Sequence, residues 1–207
     1  MIQLEAFRGR KGRPLGAYRE SAVLVLLQKR PEGAVLLLEK RARQLRAQPG
    51  DISFPGGSLE PGETPQEAAL RETKEELGLD PQGVDVVGAL DYYIAPNGLI
   101  IHPFVAATAV QELCPNPEEV ERVLTIPLTD LLSQEPEVFP LAFAPEPGED
   151  FPFDRIQGGR GYPFRRPVID QYFYRAGDEF IWGITARILL QFLNLIKEAN
   201  PSWDLPK

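Results

Sequence analysis

The sequence predicts an α/β fold, a mixed β-sheet carrying helices on both faces. Three observations predict it. Short apolar runs come in pairs around turn residues, a capped helix sits mid-chain, and an amphipathic helix closes the sequence. With no internal repeat and no sign of a second domain, the chain reads as a single domain over residues 1–207.

Each element has a local reason. Ala22–Leu27 and Ala34–Leu38 are apolar runs joined by Pro31-Glu32-Gly33, a hairpin signal. Thr64 is an N-cap, Pro65 fits the first helical position and Glu67 completes a capping box, so a helix starts near Thr64 or Pro65. Gly78 is a left-handed C-cap that stops it. Ala69, Leu70, Thr73 and Leu77 share the side expected to face the core. Val84–Ile94 and Leu99–Val110 read as strands around Pro96-Asn97-Gly98. A short helix is expected over Pro127–Leu132, with Glu118, Glu119 and Glu121 in the connection before it. Gln171–Arg175 reads as a strand. Ile184–Ala199 carries Ile184, Ile188, Leu189, Phe192, Leu195 and Ile196 at helical spacing.

Residues 144–168 break this rhythm. They are rich in Pro and Gly, with Gly158, Gly159 and Gly161 as hinges. They also carry Phe151, Phe153, Tyr162 and Phe164, with Arg155, Arg160, Arg165 and Arg166 nearby. A long segment of this kind is expected to be a mobile loop near a substrate, or a surface insertion packed by its own aromatics.

Composition narrows the function. Hydrophobic residues make up 43% and charged residues 25%, ordinary for a globular protein. The net charge of −8 argues against nucleic-acid binding, which wants a basic surface. One cysteine, Cys114, excludes an intrachain disulfide and fits a reducing cytoplasm. There is no Cys/His cluster for zinc, no secretory leader, and no apolar run long enough for a bilayer. The expected partner is a small nucleotide-like molecule, and a homodimer is compatible with this composition. His102, within an apolar run, reads as a structural strand residue, and Cys114 has no neighbouring base to make it a nucleophile.

The chemistry is concentrated in residues 57–79. Gly57 is followed after five residues by Glu63, and after seven more by Arg71-Glu72-Thr73-Lys74-Glu75-Glu76-Leu77-Gly78-Leu79. Glu72, Glu75 and Glu76 lie at i, i+3 and i+4, so they cluster on one helical strip. Like charges this close raise one another's pKa, and a hard divalent cation relieves them. Mg2+ or Mn2+ suits carboxylates, water and substrate phosphate together. Arg71 can pair with Glu75 along the helix or with Glu63 across the loop.

This pattern resembles the signature of the Nudix hydrolases, with Thr73 where an aliphatic residue is usual. The resemblance implies a Nudix-type α/β/α sandwich and a metal-dependent diphosphatase. Glu72, Glu75 and Glu76 would hold the metal, a Gly56 carbonyl would complete the shell, and Arg71 would belong to the catalytic group. An acidic residue from a later loop often joins such a site, which makes Glu119 a candidate. The proton acceptor would be a glutamate of the box or of that loop.

Immediately upstream, over residues 37–57, Leu37-Leu38-Glu39-Lys40-Arg41-Ala42 is followed by Arg46, Gly50 and Phe54-Pro55-Gly56-Gly57. This resembles the extra motif of the coenzyme A diphosphatase branch. Glu39 stands where Thr is usual; Gln48 and Asp51 stand where His and Glu are frequent. The resemblance implies cleavage of coenzyme A or its derivatives to 3′,5′-ADP and 4′-phosphopantetheine, with Arg41, Arg46, Gly50 and Phe54 binding substrate. Guanidinium forks suit phosphate oxygens, and Gly50, Gly56 and Gly57 let backbone approach a ligand. Residues 181–186 also resemble a segment near the end of such enzymes, with Trp182 as packing or a substrate wall. The rival expectations are another diphosphate, such as an ADP-sugar, NADH or a dinucleoside polyphosphate, or a binding module that has lost activity.

Overall fold

The computed structural model describes residues 4–11 and 14–200. The first hairpin joins β1 (Arg19–Arg30) to β2 (Gly33–Arg41). Its strands pair antiparallel only near the turn, from Arg30↔Gly33 to Leu26↔Leu37, and then diverge. The segment 52–58 fills the fork. β3 (Ile52–Ser53) pairs with Lys40 and Glu39 of β2. β4 (Gly56–Ser58) pairs with Val23, Ala22 and Ser21 of β1. Between them the Leu24 N–H donates to the Pro55 carbonyl at 2.9 Å. The loop bearing Gly56 and Gly57 is therefore hydrogen-bonded into the sheet.

Helix α1 (Pro65–Leu77) follows with the expected capping box and with Gly78 at φ 67°. The expected strand 84–94 is interrupted, giving β5 (Val84–Ala89) and β6 (Tyr93–Ile94). Both pair with β7 (Leu99–Thr108), which runs parallel to β1 from Arg19↔Leu99 to Gln28↔Thr108 and makes the sheet mixed. The acidic connection 118–121 runs straight into a strand missed by sequence reasoning, β8 (Val120–Pro127), on the outer edge of β2. Val120, Leu124 and Ile126 are buried while Glu121 and Arg122 are exposed, an alternation veiled by the charges. Helix α2 (Leu128–Ser133) follows.

A second, three-stranded antiparallel sheet contains the expected strand Gln171–Arg175, with two partner strands that sequence reasoning missed. It comprises β9 (Glu137–Ala142), β10 (Val168–Ala176) and β11 (Glu179–Ile181), in the order β11-β10-β9. Residues 143–167 leave its β9–β10 end and return to it. Ala142 pairs with Val168, and the Phe143 N–H donates to the Pro167 carbonyl at 2.9 Å. Inside the excursion Phe151 meets Phe153 and Phe164, Tyr162 meets Phe164, and Arg160 lies over the Phe153 ring at 4.9 Å. The segment is thus packed by its own aromatics.

Helix α3 (Gly183–Ala199) closes the described fold. Its core stripe includes Leu193 in place of the expected Leu195, which is 45% exposed. Strand alternation sorts the interior into two cores. Ala22, Leu24, Leu26, Val35 and Leu37 pack with Ala68, Ala69 and Leu77 of α1. Val25, Leu36, Leu38, Ile52 and Phe54 pack with α2 and α3.

Candidate active site

The site forms where α1 crosses the fork. A side chain at Gly57 would displace the Glu72 carboxylate, so glycine here leaves that carboxylate its place. Gly56 has φ 142°, and a side chain on it would strike the Ala22 carbonyl. Its N–H donates to Glu76 Oε2 at 2.8 Å, which ties the helix to the loop.

Arg71 is the clamp of the box and makes both expected pairings. Nε donates to Glu63 at 2.7 Å, Nη1 to Glu75 at 3.2 Å and Nη2 to the Ser58 carbonyl at 3.0 Å. Glu72 Oε1 lies 3.1 Å from Nη1. The guanidinium holds Glu63 below the ordinary carboxylate range and is itself raised by Glu63. Arg71 thus joins the loop, the helix and two box glutamates.

The three box glutamates meet different surroundings. The Glu75 side chain is 52% exposed and that of Glu72 19%, while Glu76 is 4% exposed. Glu76 therefore faces inward with Thr73 and Leu77. Behind it lies Glu39, 0% exposed, a residue that sequence reasoning registered only as a departure from a pattern. The signal was present: Val35, Leu37 and Glu39 alternate onto the α1 side of β2, so a charge ends an otherwise apolar face. Burial raises the pKa of both Glu39 and Glu76, and each stands in the field of other acids. Burial also raises Glu72. A smaller contribution from the charge of Glu119 adds to burial in raising Glu39 and Glu72. The Glu119 carbonyl accepts from the Ala42 N–H at 2.8 Å, which anchors that loop to the end of β2.

This surplus of acid fits a cation. Glu39 Oε2 is buried without a hydrogen-bond partner, and the Glu76 carboxyl beside it can donate only when protonated. Hard oxygen donors of this kind suit Mg2+ or Mn2+. Among the described residues, no three acidic side chains converge at coordinating distance. Arg71 holds Glu72 and Glu75 on its own nitrogens instead.

The upstream motif divides. The Arg41 N–H donates to the Asp51 carbonyl and the Gly50 N–H to the Arg41 carbonyl, closing a tight loop with Gly50 at φ 77°. One Arg41 nitrogen lies 3.7 Å from Glu39, and its Nε is buried without a partner. Arg46 is exposed on the loop. Phe54 is a correction: expected against substrate, it is 2% exposed and packs in the α3-side core, because it follows Ile52 onto that face. Gly50 and Asp51 also line a cleft of about 270 Å³ with Lys40, Phe180 and Trp182. Trp182 stacks on Phe173 with rings 9° from parallel. His102 bonds Glu20 at 2.8 Å on the β1–β7 pair, and Cys114 is exposed and free. No described helix is long and apolar enough to cross a membrane.

Residues 18–143 match the model of the NUDIX domain. Nudix hydrolase 15, mitochondrial, of Arabidopsis thaliana is 30% identical over 89% of this chain and 61% of its own length. The Uncharacterized Nudix hydrolase NudL of Pectobacterium atrosepticum is 31% identical over 86% of this chain and 83% of its own. The Peroxisomal coenzyme A diphosphatase NUDT7 of Mus musculus is 36% identical over 63% of this chain and 55% of its own. The chain spans less than two thirds of the length of two of these three relatives. With the loop, the capped helix and the graded glutamates in one place, the chain belongs to the Nudix hydrolase family.

Proposed function

We propose that this protein is a divalent-metal-dependent hydrolase that cleaves the diphosphate of coenzyme A or a derivative, giving 3′,5′-ADP and 4′-phosphopantetheine or its acyl form. The observation that carries the metal-dependent chemistry is the row of glutamates on α1 against Gly56 and Gly57. Support for the substrate comes from the Arg41–Gly57 spacing and from the likeness to a coenzyme A diphosphatase.

Glu72, Glu75 and Glu76 would hold Mg2+ or Mn2+, with the Gly56 carbonyl as a further donor. The ion supplies neutralisation of phosphate charge and acidification of water. The protein's own groups do the rest. Arg71 fixes Glu72 and Glu75 to the loop through its contacts with Glu63 and Ser58. Glu75, the most exposed of the three, or Glu119, on the later loop, would take a proton from water. Arg41 and Arg46 offer guanidinium forks to the diphosphate and the 3′-phosphate.

The test is a panel of coenzyme A, dephospho-coenzyme A, an ADP-sugar, NADH and a dinucleoside polyphosphate with Mg2+ or Mn2+, read by product identity. Release of 3′,5′-ADP with the highest kcat/KM on coenzyme A is expected. Faster cleavage of another member reassigns the substrate, and no cleavage of any refutes the hydrolase reading.

A further inference from the structure

We infer that Glu39 is a further acidic group of the cation site, reaching it from the sheet side of the box. The inference rests on the metal-dependent reading above and goes beyond it, because Glu39 lies outside the box and in a position where the upstream motif usually carries Thr.

Three geometric observations carry it. The Glu39 side chain is 0% exposed, and its Oε2 accepts from no N–H or hydroxyl group among the described residues, with only the Glu76 carboxyl in reach. A fully buried carboxylate oxygen with no donor costs free energy unless something positive meets it. Second, the neighbour of Glu39 on the α1 side is another acid, Glu76, whose Oε2 accepts from the Gly56 N–H at 2.8 Å. Third, the positive groups at hand leave Glu39 incompletely met. Ser53 donates to Oε1 at 3.2 Å, and Arg41 stops 3.7 Å from that same oxygen. Charge-assisted pairs close to about 2.7–2.9 Å. Lys40, the adjacent residue, points to the other face and is held by Glu179 at 2.6 Å.

The fold explains how a strand residue enters a helix-borne site. β2 parts from β1 after Leu37, and β3 pairs with Glu39 through Ser53. Glu39 therefore lies inside the fork, under the loop whose Gly56 N–H holds Glu76. A cation drawn to Glu76 has Glu39 beside it.

The experiment is a Mn2+ titration of the full chain followed by electron paramagnetic resonance, on wild type, Glu39→Gln and Glu39→Thr, with circular dichroism to confirm folding. Expected is a Mn2+ affinity weaker by about 10- to 100-fold in both variants, and a smaller metal-induced rise in Tm. Unchanged affinity in a folded variant overturns the inference and leaves Glu39 as a structural acid sharing a proton with Glu76. Should Glu39→Gln fail to fold, Glu39→Thr, the residue usual in the motif, gives the same reading. A wild type that binds no Mn2+ overturns both this inference and the metal-dependent reading on which it stands.

Discussion

Glu39 and Lys40 are adjacent in sequence and lie on opposite faces of one strand. Lys40 faces β11, where Glu179 meets it at 2.6 Å and Glu121 stands at 3.8 Å, with Arg122 bonding Glu179 from β8. Glu39 faces α1, where it meets further acids and keeps an oxygen without a partner. One charge is neutralised by neighbours the fold supplies; the other is surrounded by more of its own kind. A charge answered within the chain is architecture, whereas a buried charge left unanswered marks a place reserved for something else.

The largest expected effect falls on the unanswered side. Glu75→Gln and Glu76→Gln each keep shape and remove charge, so each should lower kcat/KM by more than the roughly 100-fold that loss of a mere outer-shell partner costs. Circular dichroism should remain native. Near-normal turnover of both at saturating Mg2+ would remove the metal assignment and, with it, the contrast between the two faces.

On the α3 face the same measurements should invert. Phe192 is 3% exposed among Leu189, Ile188 and Leu193. Phe192→Ala should cost about 3–5 kcal/mol of stability, read by urea denaturation, while folded enzyme retains its metal affinity. A loss of Mn2+ binding without loss of stability would contradict the division of labour.

Recognition lies between these extremes. Arg46→Ala should lower kcat/KM on coenzyme A by roughly one to two decades, the worth of a charge-assisted phosphate contact of about 1.5–3 kcal/mol. If Arg46 holds the 3′-phosphate, the loss shrinks with dephospho-coenzyme A. An equal loss moves Arg46 to the diphosphate, and no loss removes it from the site.

A pH series separates the faces without mutation. Burial raises Glu39 and Glu76 above the ordinary glutamate value of 4.5. In that case the native state retains protons that the unfolded chain has released, so this contribution to stability is present below 4.5 and lost as pH rises through the elevated folded values. Metal-free protein should therefore lose stability on going from acid toward alkaline pH, and Mn2+ should flatten the slope. A Tm independent of pH over that range, in the absence of metal, would contradict the elevated carboxyls.

The smallest effect belongs to the answered charge. Glu179→Gln leaves Lys40 and Arg122 partly paired by Glu121 or solvent. It should cost about 1 kcal/mol or less of stability and leave catalysis untouched; a loss of activity comparable with that of Glu76→Gln would show that both faces serve the reaction.

Much of this was legible in the sequence, for physical reasons that differ by element. The bounds of α1 follow from Thr64, Pro65, Glu67 and Gly78, whose chemistry is local. The β1–β2 hairpin and α3 follow from periodicity. β8 was missed because Glu121 and Arg122 mask the buried Val120, Leu124 and Ile126, and its pairing with β2 is a long-range event. β9 was missed because its residues are exposed on both faces, so no alternation exists to read. Phe54 was misplaced because its motif suggests a ligand while its register sends it to the core. Glu39 needed the fork: nothing local says that two strands of a hairpin will part and admit a third segment between them.

That fork also sets which lengths the chain can vary. Residues 43–49 lie outside the ladder and bridge β2 to the loop, so insertions there add only loop entropy, which grows slowly with length. Residues 52–58 are paired first to β2 and then to β1. Deleting one residue between Ile52 and Gly57 would shift one pairing against the other and turn side chains to the wrong face. Glu39, Gly56 and Glu76 would no longer meet. A gain of length should be tolerated before the fork and a loss of one residue within it should not, although the two places are only a few residues apart.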